Sequence, residues 1–516
     1  MCAIQISSCF SRCLRVPIAI RRFYKQSLRI LRKFLLRNPD LHHSLLVLLC
    51  YKLGTFILSF LALMNTGQYV EVMNNRQPDF SRQLGRLQAY LEGLTRAAGH
   101  ADRVIPIENY TKGLLLPLER KSVEPMAARL APGNVRQMHQ SLHHIVADAA
   151  WSDAALLQEV RRQVLPAMTQ RHGLAAWIVD DTGFPKKGSP SVGVTRQYCG
   201  QLGKQENCRI AVSVSLATTQ TSLPATYQLY LPEIWANDAQ RRRKAGVPEE
   251  VRFQTKPEIA LAQIRSLVNE DVPRGVVLAD AAYGNDNGFR EGLEALGFEY
   301  VVGVQSSASV WPPGIAPLPP QARRRMGRPA RLLRRDEQHQ PLSVKELALC
   351  LSASDLRRVS WREGTRGPLH SRFSRLRVRV AHRDYWRSEP HPQQWLLIEW
   401  PKTEKEPTKY WLSNLPEAIS LRQLVATAKL RWRIERDYQE LKQELGLGHY
   451  EGRNWRGFHH HATLCIAAYG FLVLERCLFP PAPGSPPLRA VDLRLRLPRA
   501  QPSYTPRGAA GADRTA

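Results

Sequence analysis

The sequence predicts an α/β protein: a mixed-sheet core, preceded by a helical N-terminal domain and interrupted by a β-rich insertion. Three observations carry that prediction. Apolar residues repeat with helical spacing from about Phe80 to Met168, then give way to short strand-like runs from Ala175 onward. Those runs and the helical stretches between them follow the order β-β-β-α-β-α-β as far as Val304. Two of the runs end on acids, Asp180-Asp181 and Asp280. Carboxylates at strand ends meet along one edge of a sheet, which is where open α/β sheets place their ligands.

Taken in order, residues 1–63 do not resemble the rest of the chain. They carry ten Lys and Arg against one acid, Asp40, and an apolar run from Ser44 to Leu63 with Lys52 in its middle. A charge at mid-span costs about 2.5–3.5 kcal/mol on insertion scales, so a membrane anchor is disfavoured. Met64 and Met73 both precede sequence of ordinary composition, and the segment reads as an upstream extension. Residues 64–168 form the helical domain, a candidate either to grip DNA or to serve in packing, with Leu84, Leu87, Tyr90, Leu91 and Leu94 on one face and Leu156, Leu157, Val160 and Val164 on another. Residues 169–305 hold the first part of the mixed-sheet core, with strands at Ala175–Val179, Arg209–Ala217, Pro224–Pro232, Gly275–Ala279 and Tyr300–Val304. Residues 306–415 are the basic, β-rich insertion, in which Trp361, Trp386, Trp395, Trp400 and Trp411 are expected mostly in the core. Helices resume over 416–479, and the Pro-, Arg-, Gly- and Ala-rich residues 480–516 read as a disordered tail.

The 516 residues carry a net charge of +28 with a pI near 10.1, an excess that favours a polyanionic partner, DNA or RNA. Nine cysteines are present without a C-x₂-C pair, which excludes the common zinc modules and a disulfide framework and suits a reducing cytosol.

Chemistry enters with three separated acids, Asp181, Asp280 and Glu435. Mg²⁺ takes hard oxygen ligands and keeps much of its water, so a few carboxylates suffice to hold it. Two such ions about 3.5–4 Å apart clamp the attacking and leaving oxygens of a phosphodiester. Glu435 lies on a helical stretch with Arg431, Tyr438 and Lys442 at intervals of 4, 3 and 4, which predicts one stripe along the helix. Arg431 and Lys442 are candidates for DNA phosphates. Strand alternation lets only one of Asp180 and Asp181 face the metals. Glu440 and Glu444 rival Glu435. The basic run around Gly327-Arg328-Pro329 offers Arg328 as a minor-groove contact. His459-His460-His461 are consecutive on a helix and splay around it, so they make a poor metal site.

These motifs resemble those of bacterial DDE insertion-sequence transposases, which have an RNase H-like core. The third motif of that family, Y-x₂-R-x₃-E-x₆-K, is met by Arg431, Glu435 and Lys442, with Ala428 in place of the Tyr. The first, an apolar strand followed by Asp-Thr, is met at Val179-Asp180-Asp181-Thr182; the Thr that follows favours Asp181. The second is met by Asp280-Ala-Ala-Tyr283-Gly284. The resemblance covers about Tyr110 to Cys477. It implies catalysis by Asp181, Asp280 and Glu435 holding two Mg²⁺ ions, with Mn²⁺ substituting. It also implies double-stranded DNA as partner, both element ends and target, a homodimer that synapses two ends, and work in the bacterial cytoplasm at the nucleoid. The alternative is a decayed copy that binds DNA without cutting it.

Overall fold

The computed structural model describes residues 80–320, 331–364 and 367–480. The extension at 1–63, Arg328 and the tail from 481 lie outside the described residues.

Five helices come first: α1 (Phe80–Ala97), α2 (Val104–Leu115), α3 (Val123–Leu130), α4 (Val135–Ala147) and α5 (Asp153–Thr169). Leu87, Tyr90, Leu91 and Leu94 of α1 are buried, as are Leu156, Leu157, Val160 and Val164 of α5, so the helical spacing read from the sequence is the buried stripe. Strands follow: β1 (Ala176–Pro185), β2 (Thr195–Cys199), β3 (Lys204–Ala217) and β4 (Ser222–Leu229). Next come α6 (Lys256–Asn269), β5 (Val276–Ala279), α7 (Asn287–Ala295) and β6 (Tyr300–Val304). A reciprocal cap between Thr255 and Glu258 starts α6. β3 runs antiparallel to both β1 and β4, while β5 is parallel to β1 and β6 to β5. The resulting order β4-β3-β1-β5-β6 is the RNase H-like mixed sheet that the resemblance implied.

The insertion supplies β7 (Ser309–Trp311), β8 (Leu342–Ser343), β9 (Arg357–Gly364), β10 (Gly367–Val380), β11 (Gln393–Glu399) and β12 (Lys409–Ser413). It prolongs the core sheet: β12 pairs antiparallel with β6, β11 with β12, and β10 with β11, giving one 12-stranded sheet. Trp395 and Trp411 are buried in it, whereas Trp386 is 60% exposed on a turn.

The chain then closes with α8 (Leu421–Leu430), α9 (Trp432–Gln439) and α10 (Trp455–Leu478). Leu424, Val425 and Ala428 of α8 and Ile434 and Tyr438 of α9 share a core cluster with Ala176, Ile178, Leu278 and Val301. The even-numbered residues of β1 therefore face α8 and α9. The opposite face carries α6, whose Gln263 Nε2 donates to the Val212 carbonyl at 3.1 Å. Helix α10 is the one described helix long and apolar enough to cross a membrane, and most of it is buried in the protein. It packs on the N-terminal helices: Tyr90 Oη donates to Ala467 O at 2.8 Å, and Gly470 lets Tyr90 and Val160 approach the helix backbone. The three histidines splay as expected. His459 Nε2 accepts from Leu229 N, His460 meets Asp153, and His461 meets Tyr110 Oη at 2.8 Å. Their work is packing.

Between β5 and β6 a short helical turn, Ala281–Gly284, presses against β6. A Cβ on Gly284 would lie 1.9 Å from Gly303 O, which explains the Tyr-Gly pair in the motif. Gly284→Ala should therefore cost about 1–3 kcal/mol in chemical denaturation, the range for overpacking a tight contact. An unchanged midpoint would show that this contact is soft.

Candidate active site

β1 carries its two aspartates to opposite faces of the sheet. Asp180 pairs in register with Ser213, whose Oγ lies 2.8 Å from Tyr438 Oη of α9. Asp180 thus faces α9, where its Oδ2 meets Arg431 Nη1 at 2.6 Å. Its other oxygen accepts from the Asp181 backbone N at 2.9 Å. Burial pushes the Asp180 carboxyl up to about 6; Arg431 opposes the rise, while Asp280 and Asp181 add to it. Asp181 points across the sheet to α6, where Lys256 Nζ holds its Oδ2 at 2.8 Å. The sequence favoured Asp181 over Asp180, but the carboxylate that shares a face with Arg431 and Glu435 is Asp180. The physical reason is the two-residue period of the strand.

Asp280 ends β5 and caps the turn that follows, its Oδ1 accepting from Ala282 N at 2.9 Å. Its charge reaches both Asp180 and Arg431. Burial alone would lower the Arg431 pKa, but Asp180 and Asp280 outweigh it and leave the guanidinium firmly charged. Glu435 stands one helical turn beyond Arg431, with its side chain 67% exposed and 3.9 Å from Arg431 Nη2. Arg431 therefore lies between the strand-end acids and the helical one.

The predicted stripe does not continue to Lys442. Residues Glu440–Glu444 form a π-helical turn, which changes the phase of the helix after α9. Tyr438 is buried on Ser213, and Lys442 Nζ donates to Gly183 O at 2.7 Å and Gln201 Oε1 at 2.9 Å. Burial brings the Lys442 amine down to about 8. In this structure Lys442 braces the end of β1, where the sequence reading had assigned it to DNA. Glu440 is buried and paired with Arg436 at 3.3 Å and Arg476 at 2.7 Å, so it is committed elsewhere. Lys186, just past β1, donates to Tyr450 O at 2.9 Å and ties β1 to the segment leading into α10.

Two residues of the site region escaped the sequence reading. Lys256 starts α6 and has no motif around it beyond a helix cap. Arg362 of β9 stacks on Trp432 with its guanidinium carbon 3.5 Å from the ring centroid. It comes from the insertion, and pairing in a distant hairpin leaves no local signal in sequence.

Asp180, Asp280 and Glu435 are hard-oxygen donors of the kind Mg²⁺ prefers. Among the described residues no three His, Cys, Asp or Glu side chains stand close enough to form a ready-made cage. The donor chemistry fits, with Glu435 turned to solvent and Arg431 as the counter-charge on Asp180.

Residues 89–368 match the family model of DDE superfamily endonucleases, more than half of the chain. The chain belongs to that family. Over 196 residues it is also 31% identical to a protein of Microchaete diplosiphon described as the probable transposase for insertion sequence element IS701. The match takes in 38% of this chain and 47% of that protein, so the chain spans about half the length of the curated relative it matches.

Asp437, two residues past Glu435, separates a structural acid from the candidate ligands. It is buried and accepts from Ser222 Oγ at 2.6 Å and Tyr469 Oη at 3.0 Å. Burial pushes its carboxyl up to about 6 from an ordinary value near 3.8, against those hydrogen bonds. A raised folded pKa stabilises the fold below the unfolded value, and that stability is lost as pH rises through 6. Asp437→Asn should therefore melt higher than the parent at pH 8, with the gap closing towards pH 4. A gap that widens at low pH would contradict this account.

Proposed function

We propose that this protein is a DDE transposase that cleaves the ends of an insertion sequence and joins them to target DNA, with Asp180, Asp280 and Glu435 as its metal-binding acids. The observation that carries the reading is the convergence of Asp180, Arg431 and Glu435, with Asp280 in the same field. Family membership and the likeness to the IS701 transposase support it.

Mg²⁺ held by the three carboxylates, two ions in the full site with Mn²⁺ able to replace them, would stabilise charge on the attacking and leaving oxygens of the phosphodiester. The chain's own residues do the rest. Asp180 and Asp280 fix their carboxylates on adjacent strands, so the scissile phosphate is oriented by a rigid sheet edge. Glu435, on a helix with its side chain open to solvent, closes the site from the opposite side. Arg431 neutralises the acids and then reaches a phosphate oxygen with its planar fork. The same residues would serve hydrolysis of the element's end and attack by the freed 3′-OH, and no covalent protein–DNA intermediate is required.

The +28 charge supports a grip on the DNA backbone, with the N-terminal helices and the insertion as its surfaces. A dimer synapsing two ends in the bacterial cytoplasm completes the reading. Asp181 belongs to it as the partner of Lys256, a brace behind the metal face.

The test is Mg²⁺-dependent nicking of DNA that carries the element's ends. Asp180→Asn, Asp280→Asn and Glu435→Gln should each lower the rate by on the order of 100-fold or more while DNA binding persists. Asp181→Asn should keep most of the activity, and an Asp181 variant as dead as the Asp280 variant would return the ligand role to it. EDTA should stop nicking in the parent, and Mn²⁺ should restore it; cleavage that survives chelation would refute the metal reading.

A further inference from the structure

Among the described residues, Arg362 is the cation that the β-rich insertion stacks against α9 near Glu435. β9 lies on the outer side of β10, with Arg362 in register with Leu369. Its guanidinium carbon sits 3.5 Å from the centroid of Trp432, contact distance for a stacked cation. Trp432 follows Arg431 directly and precedes Glu435 by three residues, so the two side chains are neighbours on the helix surface, about 5–6 Å apart at Cβ. Among the described residues Arg362 has no ion pair, although the charge of Glu435 reaches it. Its Nε is shielded from solvent and has no hydrogen-bond partner, while the residue as a whole is partly exposed.

This combination is uncommon for a residue whose work is packing alone. Stacking fixes the plane of the guanidinium and leaves its edge free, and a fixed planar fork loses little entropy when it binds a tetrahedral anion. A phosphate oxygen would meet the terminal nitrogens at the open edge, while Nε stays shielded behind them.

We propose that Arg362, stacked on Trp432, is a phosphate-positioning residue that grips the DNA backbone beside the bond cut at Glu435. The assignment rests on the transposase reading and deepens it. It makes the insertion part of the substrate-binding surface of the active site, where Arg431 grips from the helix and Arg362 from the sheet.

The experiment compares the full chain with Arg362→Gln and Arg362→Lys, using a duplex of about 30 base pairs of mixed sequence for binding and element-end DNA for nicking. Loss of one phosphate contact should make the slope of log affinity against log salt shallower by about 1 in Arg362→Gln, with nicking reduced at least about ten-fold. Arg362→Lys keeps the charge and should restore the slope, but without the planar fork it should leave nicking impaired. A purely structural role would lower the melting temperature and leave the salt slope unmoved; that result, in a parent that binds and nicks, overturns this assignment alone. Should Arg362→Gln fail to fold, wild-type nicking by Arg362→Lys would equally overturn it. A parent that binds no DNA at any salt would bring down the transposase reading and this inference together.

Discussion

The contact between Asp180 and Arg431 is the constraint on which the rest of the site depends. A carboxylate largely enclosed between a sheet and a helix is costly unless a cation stands beside it. Arg431 supplies that cation from the junction of α8 and α9 at 2.6 Å. The same guanidinium lies 3.9 Å from Glu435, so one side chain links the strand-end acid to the helical acid. The position of α9 on the sheet is thus tied to the position of the acids.

The remaining architecture keeps that contact in place. The apolar face of α8 and α9 packs on Ala176, Ile178, Leu278 and Val301, directly behind the acids. Gly284 and Gly303 let the turn that bears Asp280 lie flush on β6. The π-helical turn after α9 directs Lys442 back to Gly183 O, where it steadies the end of β1. On the far face, Lys256 holds Asp181. The insertion extends the sheet beyond β6 through β12, so it is joined to the core by backbone hydrogen bonds, and its hairpin carries Arg362 to α9.

Most of the core was legible in the sequence because its signals are local. The runs at Ala175–Val179, Gly275–Ala279 and Tyr300–Val304 are short, apolar and bounded by turns, and each forms a strand. Asp280 and Glu435 were singled out as candidates by their neighbours in the motifs. Which of Asp180 and Asp181 faces α9 was not legible, because facing depends on which side of the strand α9 covers, and that is a tertiary fact. The course of the helix after Glu435 was hidden for a related reason: residue spacing assumes an unbroken α-helix, and a π-turn has no clear signature in composition. Arg362 was invisible because the insertion reaches the site through strand pairing far along the chain.

The most direct test of this account is a crystal structure of the protein with Mn²⁺, with data collected at the manganese absorption edge. The account predicts an anomalous peak between the Asp180 and Asp280 carboxylates on the α9 face, with Arg431 withdrawn from Asp180 and Asp181 still on Lys256. A peak coordinated by Asp181, with Asp180 still paired to Arg431, would contradict it.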